Sequence, residues 1–223
     1  MSSQILTLVG TAALCVAGNA WAAIITQNTT GTSATIGSGF FEGQSVTTPT
    51  GGPWDDLGFN FVQCPNPSGT SCLAGTTSPY ALGDLYLLTQ IYDGLPSGLS
   101  SSTPGFVAEA TTITGGVWTF ASGVTLNPST QYFFYMDTAF SGVQDVYSNS
   151  DPYAGGQAYG ANTGNGPTYG SDDSPLASVD QVFSLTGTAT GSSVPEPGPG
   201  PLTGLVLAGL AGAQTLRRRA CKA

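Results

Sequence analysis

Gln131-Tyr132-Phe133-Phe134-Tyr135-Met136-Asp137 decides the fold class of this chain. Successive side chains of a strand point to opposite faces, so Tyr132, Phe134 and Met136 share one side and Phe133 and Tyr135 the other. Aromatic residues on both faces mark a strand near the middle of a sheet that is covered on each side. Outward from it the same grammar repeats. Asp84 to Tyr92 carries Leu85, Leu87, Thr89 and Ile91 on one face and Tyr86, Leu88, Gln90 and Tyr92 on the other, which suits a second inner strand. Ala34 to Phe41, Leu57 to Val62, Phe106 to Thr112, Val117 to Ala121 and Gln181 to Thr188 read as further strands, and Gly115-Gly116 as a two-residue hairpin turn. Between the first of these strands and the last, no segment shows a capped helical period. The expected fold is all-β, an antiparallel β-sandwich or jelly roll over residues 23–190. Asn149 to Ser174, mostly Gly, Asn, Ser and Tyr, reads as a long surface loop or pair of loops.

Composition narrows the function. All four basic residues, Arg217, Arg218, Arg219 and Lys222, lie at the C-terminal end, and the chain has no His. Twelve of the thirteen acidic residues fall within residues 23–190, leaving that body a formal charge near −12. Nucleic acid is excluded as a partner, because its binding relies on Lys and Arg neutralising phosphates. Ser-His-Asp and Cys-His catalysis are excluded for want of a base, and the chain reads as a non-enzyme. Paired carboxylates such as Asp55-Asp56 or Asp172-Asp173 keep a glycan-active enzyme as an alternative, although neighbours on a strand point apart.

The two ends carry transport signals. Ile5 to Val16 with Ala20-Trp21-Ala22 reads as a signal peptide over residues 1–22, although no Lys or Arg precedes its apolar stretch. At the other end stand Val194-Pro195-Glu196-Pro197, an uncharged stretch from Pro201 to Leu216, and Arg217 to Arg219. As a helix that stretch covers about 24 Å, short of the ~30 Å hydrocarbon core, and its Arg cluster orients it with the C-terminus inside. Motif, single hydrophobic helix and basic end, in that order over residues 191–223, resemble the PEP-CTERM sorting tail of exported Gram-negative proteins. The resemblance implies exosortase as a transient partner, temporary anchoring in the inner membrane, and release to the cell surface or exopolysaccharide matrix. Residues 59 to 188, with IYDGLPSG, VAEATTITGGVWTFASGVTLNPSTQYFFYMD, YAGGQAY and FSLTGTA, resemble the choice-of-anchor domains of exported bacterial proteins. That likeness implies a β-sandwich and no particular chemistry.

Within the body, Cys64 and Cys72 are a natural disulfide pair, since Cys15 and Cys221 lie in the terminal signals. Closing so short a loop stabilises by about 2.5 to 3 kcal/mol on the chain-entropy model. Trp54, Tyr153, Tyr159 and Tyr169 sit in Gly-rich surroundings and are the candidates for stacking on sugar rings, whereas Trp118 in mid-strand belongs to the core. Asp172, Asp173 and Asp180 are the candidate ligands for Ca²⁺, the one cofactor the acidic body suggests, and a hard cation of that kind takes carboxylate and carbonyl oxygens. The function expected is a structural or adhesive protein of the cell surface or extracellular matrix with a glycan partner. A calcium-dependent adhesin is the rival binding role.

Overall fold

The structure is a computed structural model and describes residues 22–31, 33–64, 78–139, 141–148, 150–162, 168–169 and 179–190. The signal peptide up to residue 21, Cys72, Asp172, Asp173 and the sorting tail from residue 191 lie outside the described residues. Among the described residues no helix is long and apolar enough to cross a membrane.

The protein is all-β. Among the described residues thirteen strands follow one another as β1 (Ala23–Asn28), β2 (Ser33–Ser38), β3 (Phe40–Thr47), β4 (Trp54–Cys64), β5 (Ser78–Tyr80), β6 (Leu85–Leu88), β7 (Phe106–Thr114), β8 (Val117–Phe120), β9 (Gln131–Met136), β10 (Ser141–Ser148), β11 (Ala158–Asn162), β12 (Asp180–Gln181) and β13 (Phe183–Ala189), with one 3₁₀ turn at Pro96–Gly98. Their pairings are antiparallel, and the main path runs β1-β13-β4-β8-β7-β6-β9-β3-β11. The sheet curls on itself because β7 is long enough to serve two neighbours. Its Phe106–Glu109 end pairs with β6 and its Ala110–Thr114 end with β8, with a register shift in each ladder. Such shifts bend a strand and raise its twist.

Curling brings β4 and β13 over β6 and β9. Leu57, Phe59 and Phe61 of β4, Phe183 and Leu185 of β13, Leu85 and Leu87 of β6, and Tyr132, Phe134 and Met136 of β9 form the main core. Phe59 lies at its centre, stacked on Phe134 at 4.2 Å and 13° and on Phe183 at 5.8 Å and 9°. The other face of β6 and β9 is covered as well: Tyr86, Leu88, Phe133 and Tyr135 pack with Leu99, Tyr159, Ala161 and Tyr169. Both strands are therefore buried on two faces, as their aromatic patterns require. Trp118 is fully buried and its indole N–H donates to Gly83 O at 3.0 Å, the partner a buried Trp needs.

The Gly115-Gly116 hairpin is present, with φ of +59° and +81°, the left-handed pair that a two-residue turn demands. Three expectations are corrected. The Ala34 to Phe41 strand is two strands: Gly39, at φ +82°, breaks it so that β2 pairs with β10 while β3 pairs with β9 and β11. The Asp84 to Tyr92 strand ends at Leu88, after which Thr89 N donates to Gly105 O instead of continuing the ladder. The segment read as surface loop from Asn149 to Ser174 contains β11, five residues in register with β3 from Ala158↔Gln44 to Asn162↔Phe40.

Candidate functional site

The turn from Tyr153 to Gln157 is laid across the end of β3. Gly156 N donates to Tyr153 O, Ser45 N to Gln157 O at 2.9 Å, and Gln157 N to Ser45 Oγ at 2.9 Å. Only glycine fits at 156, since a Cβ there would collide with the Ser45 carbonyl. The Tyr153 hydroxyl accepts from Thr47 N and donates to Thr47 O, both at 3.2 Å, while its ring meets Phe183 edge-on at 5.1 Å. These contacts fix one wall of an open groove of about 360 Å³, completed by Thr47, Gln131, Tyr159 and Ile91. Among the described residues no charged side chain lines it. Gln157 Nε2 donates to Tyr159 Oη at 3.1 Å, and Ile91, 57% exposed, supplies an apolar shoulder. Amides, hydroxyls and one aliphatic surface can take up hydroxyl groups and the apolar face of an uncharged ligand.

Of the four aromatic residues expected to stack on sugars, three are inside. Trp54 is buried against Gly52 and belongs to the main core. Tyr159 and Tyr169 are 2% and 1% exposed. Tyr169 places its hydroxyl 2.8 Å from Glu42 O and 2.7 Å from Met136 O, two acceptors for one proton, and so is held against β3 and β9. Tyr153 is half-buried and acts by shaping the groove wall. The groove residues that sequence reading missed are Thr47, Ile91, Gln131 and Gln157. The Gly155-Gly156 pair in YAGGQAY was their one local signal.

Beside the groove the core turns polar. The inward side of β3 runs Val46, Gln44, Glu42, and all three are buried. Gln44 Nε2 donates to Ser45 O at 3.0 Å and to Asp180 Oδ1 at 3.2 Å, and its Oε1 accepts from Gln181 N at 3.0 Å. Asn28 Nδ2 donates to Gln181 O at 2.9 Å. Asp180, the one candidate calcium ligand within the described residues, is fully buried, and its second oxygen accepts from Tyr153 N at 2.9 Å. Burial raises its carboxyl above the usual carboxylate range, the nearby Asp151 adds to the rise, and the bonds from Tyr153 and Gln44 oppose it. Among the described residues no three Asp, Glu, Cys or His side chains gather as a metal site. Cys64 is disulfide-bonded.

Several tyrosines are pushed upward. Burial, with Glu109 next in weight, moves Tyr86 up to about 12, and burial raises Tyr135 and Tyr169. A raised phenol stabilises the fold below its unfolded value of about 10 and loses that contribution as pH climbs through its folded value. Stability is therefore expected to fall steeply once pH passes about 10. Denaturant melts stepped across the alkaline range would show it, and an alkaline plateau would refute it.

No family model, curated protein or solved structure matches this chain.

Proposed function

We propose that this protein is an exported, non-enzymatic β-sandwich or jelly roll that is sorted by exosortase through its PEP-CTERM-like tail. It works at the cell surface or in the extracellular matrix as a structural or adhesive component that binds uncharged glycan segments. The groove of Thr47, Gln131, Gln157 and Ile91 carries this reading, because it offers amides, a hydroxyl and an aliphatic shoulder without a charge. Support also comes from a body without Lys, Arg or His, which disfavours catalysis and phosphate-bearing partners.

The test is binding of neutral polysaccharides to the secreted protein, by retardation in polysaccharide-loaded native gels, with wild type against the Gln131→Ala/Gln157→Ala double variant. Two lost hydrogen bonds at roughly 0.5 to 1.5 kcal/mol each weaken binding by about fivefold or more. Equal retardation of both proteins would remove the groove from the function. Binding abolished by a calcium chelator would favour the calcium-dependent adhesin, and release of shortened glycan would make the protein an enzyme.

A further inference from the structure

The groove wall is made of residues that do little to hold themselves in place. The turn from Tyr153 to Gln157 contributes Ala154, Gly155, Gly156 and Gln157, four of the eight residues that line the groove. None of the four carries a large apolar side chain, and two successive glycines lose more backbone freedom on ordering than any other pair. A turn of this kind, left alone, would sample many shapes, and each binding event would have to order it.

Two successive residues clamp the ends of the turn from beneath. Asp180 Oδ2 accepts from Tyr153 N at 2.9 Å where the turn begins, and Val179 O accepts from Ala158 N at 3.0 Å just past its end. Strand β12 keeps these acceptors in place, since its Asp180 and Gln181 pair with Ser148 and Tyr147 of β10. Gln44 ties the clamp to β3, whose ladder neighbours are β9 and β11: its Nε2 donates to Asp180 Oδ1 at 3.2 Å, and its Oε1 accepts from Gln181 N at 3.0 Å. Asp180 is fully buried, so it does not reach a ligand in the groove. Taking a carboxyl group out of water is costly, and an apolar side chain would fill the space at less cost. An apolar side chain could not, however, accept N–H groups from two separate segments and fix their spacing.

We propose that Asp180 is a positioning residue of the groove, setting the turn from Tyr153 to Gln157 against β3 in the shape that receives a ligand. The inference rests on the reading of the groove as a glycan site, and the clamp is measurable apart from binding.

Amide hydrogen exchange reads the clamp without a variant. The Tyr153 amide of wild type should be protected as well as that of Phe134 in mid-sheet, although it belongs to a surface turn. Exchange at the rate of an open chain would overturn the proposal. In Asp180→Ala, which accepts no hydrogen bond, protection at Tyr153, Gly156 and Gln157 should fall by about fivefold or more relative to Phe134, the worth of one buried hydrogen bond. Leu57→Ala truncates the main core without removing a hydrogen bond from the turn and controls for lost stability; in it the turn and Phe134 should shift together. Dextran and hydroxyethyl cellulose in native gels read the consequence. Their affinity should weaken by about fivefold or more in Asp180→Ala and stay within about twofold of wild type in Leu57→Ala. Equal weakening in both variants would make Asp180 a purely structural residue and overturn the proposal. Turn protection that a chelator abolishes would also overturn it, by making Asp180 a cation ligand. Failure of either polysaccharide to retard wild type, with turn protection lost selectively in Asp180→Ala, would refute the glycan reading and uphold the clamp.

Discussion

Phe59→Ala should remove about 3 to 5 kcal/mol of folding stability, the range for truncating a buried Phe to Ala. The ring is fully buried and, among the described residues, is the only one stacked on two others, Phe134 and Phe183, while Phe61 meets it edge-on at 5.0 Å. Each such pair adds roughly 0.5 to 1.5 kcal/mol beyond area burial. The three partners come from β9, β13 and β4, so the cavity opens where the curled sheet faces itself. A domain of this size has about 5 to 15 kcal/mol in all, and the variant is left marginal. Urea denaturation measures the loss as a lower midpoint at unchanged slope. Ile24→Ala on β1, 58% exposed, is the control and should stay within about 0.5 kcal/mol. A loss for Phe59→Ala no larger than the control's would mean that the stack is not the centre of the fold.

The second large effect is expected from Gln44→Ala. Gln44 is fully buried and serves three partners: Ser45 O, Asp180 Oδ1 and Gln181 N. Truncation removes the partner of the Gln181 N–H and of one oxygen of a buried carboxyl, at roughly 1 to 3 kcal/mol for each, for a total of about 2 to 6 kcal/mol. Gln44→Met separates polarity from volume. It fills the space but accepts no comparable hydrogen bond, so it should be nearly as damaging as the alanine. Recovery of wild-type stability in the methionine variant would show that Gln44 matters only as filler.

How much of this could be read from the chain depends on where each signal resides. β6 and β9 were legible because burial on both faces demands a local run of large side chains, and Leu85–Leu88 and Gln131–Met136 supply it. The hairpin was legible because left-handed backbone at two successive positions selects Gly115-Gly116. β11 was not. Its sequence, AYGAN, is what a loop would contain, and it becomes a strand only because β3 offers a free edge more than a hundred residues away. β10 was overlooked for a related reason: SGVQDVYS holds few apolar side chains and is ordered by its neighbours β2, β4 and β12. The groove inherits the same difficulty, since Thr47, Ile91, Gln131 and Gln157 adjoin only after the sheet has curled. Tyr159 and Tyr169 were read as surface residues from their Gly-rich flanks, whereas both are buried, and Gly156 lets the turn before Tyr159 lie against Ser45.

The pairing of β1 with β13 has a mechanical consequence. The two are antiparallel neighbours with Ala23 opposite Gly187, so the chain enters and leaves the domain at one pole. Tension applied between its two ends would not load all the hydrogen bonds of that pair together. It would open them singly, Ala23 first and Asn28 last, as a zipper parts, and the first strand would peel away under a modest pull while β4, held by β13 and β8, stayed in place.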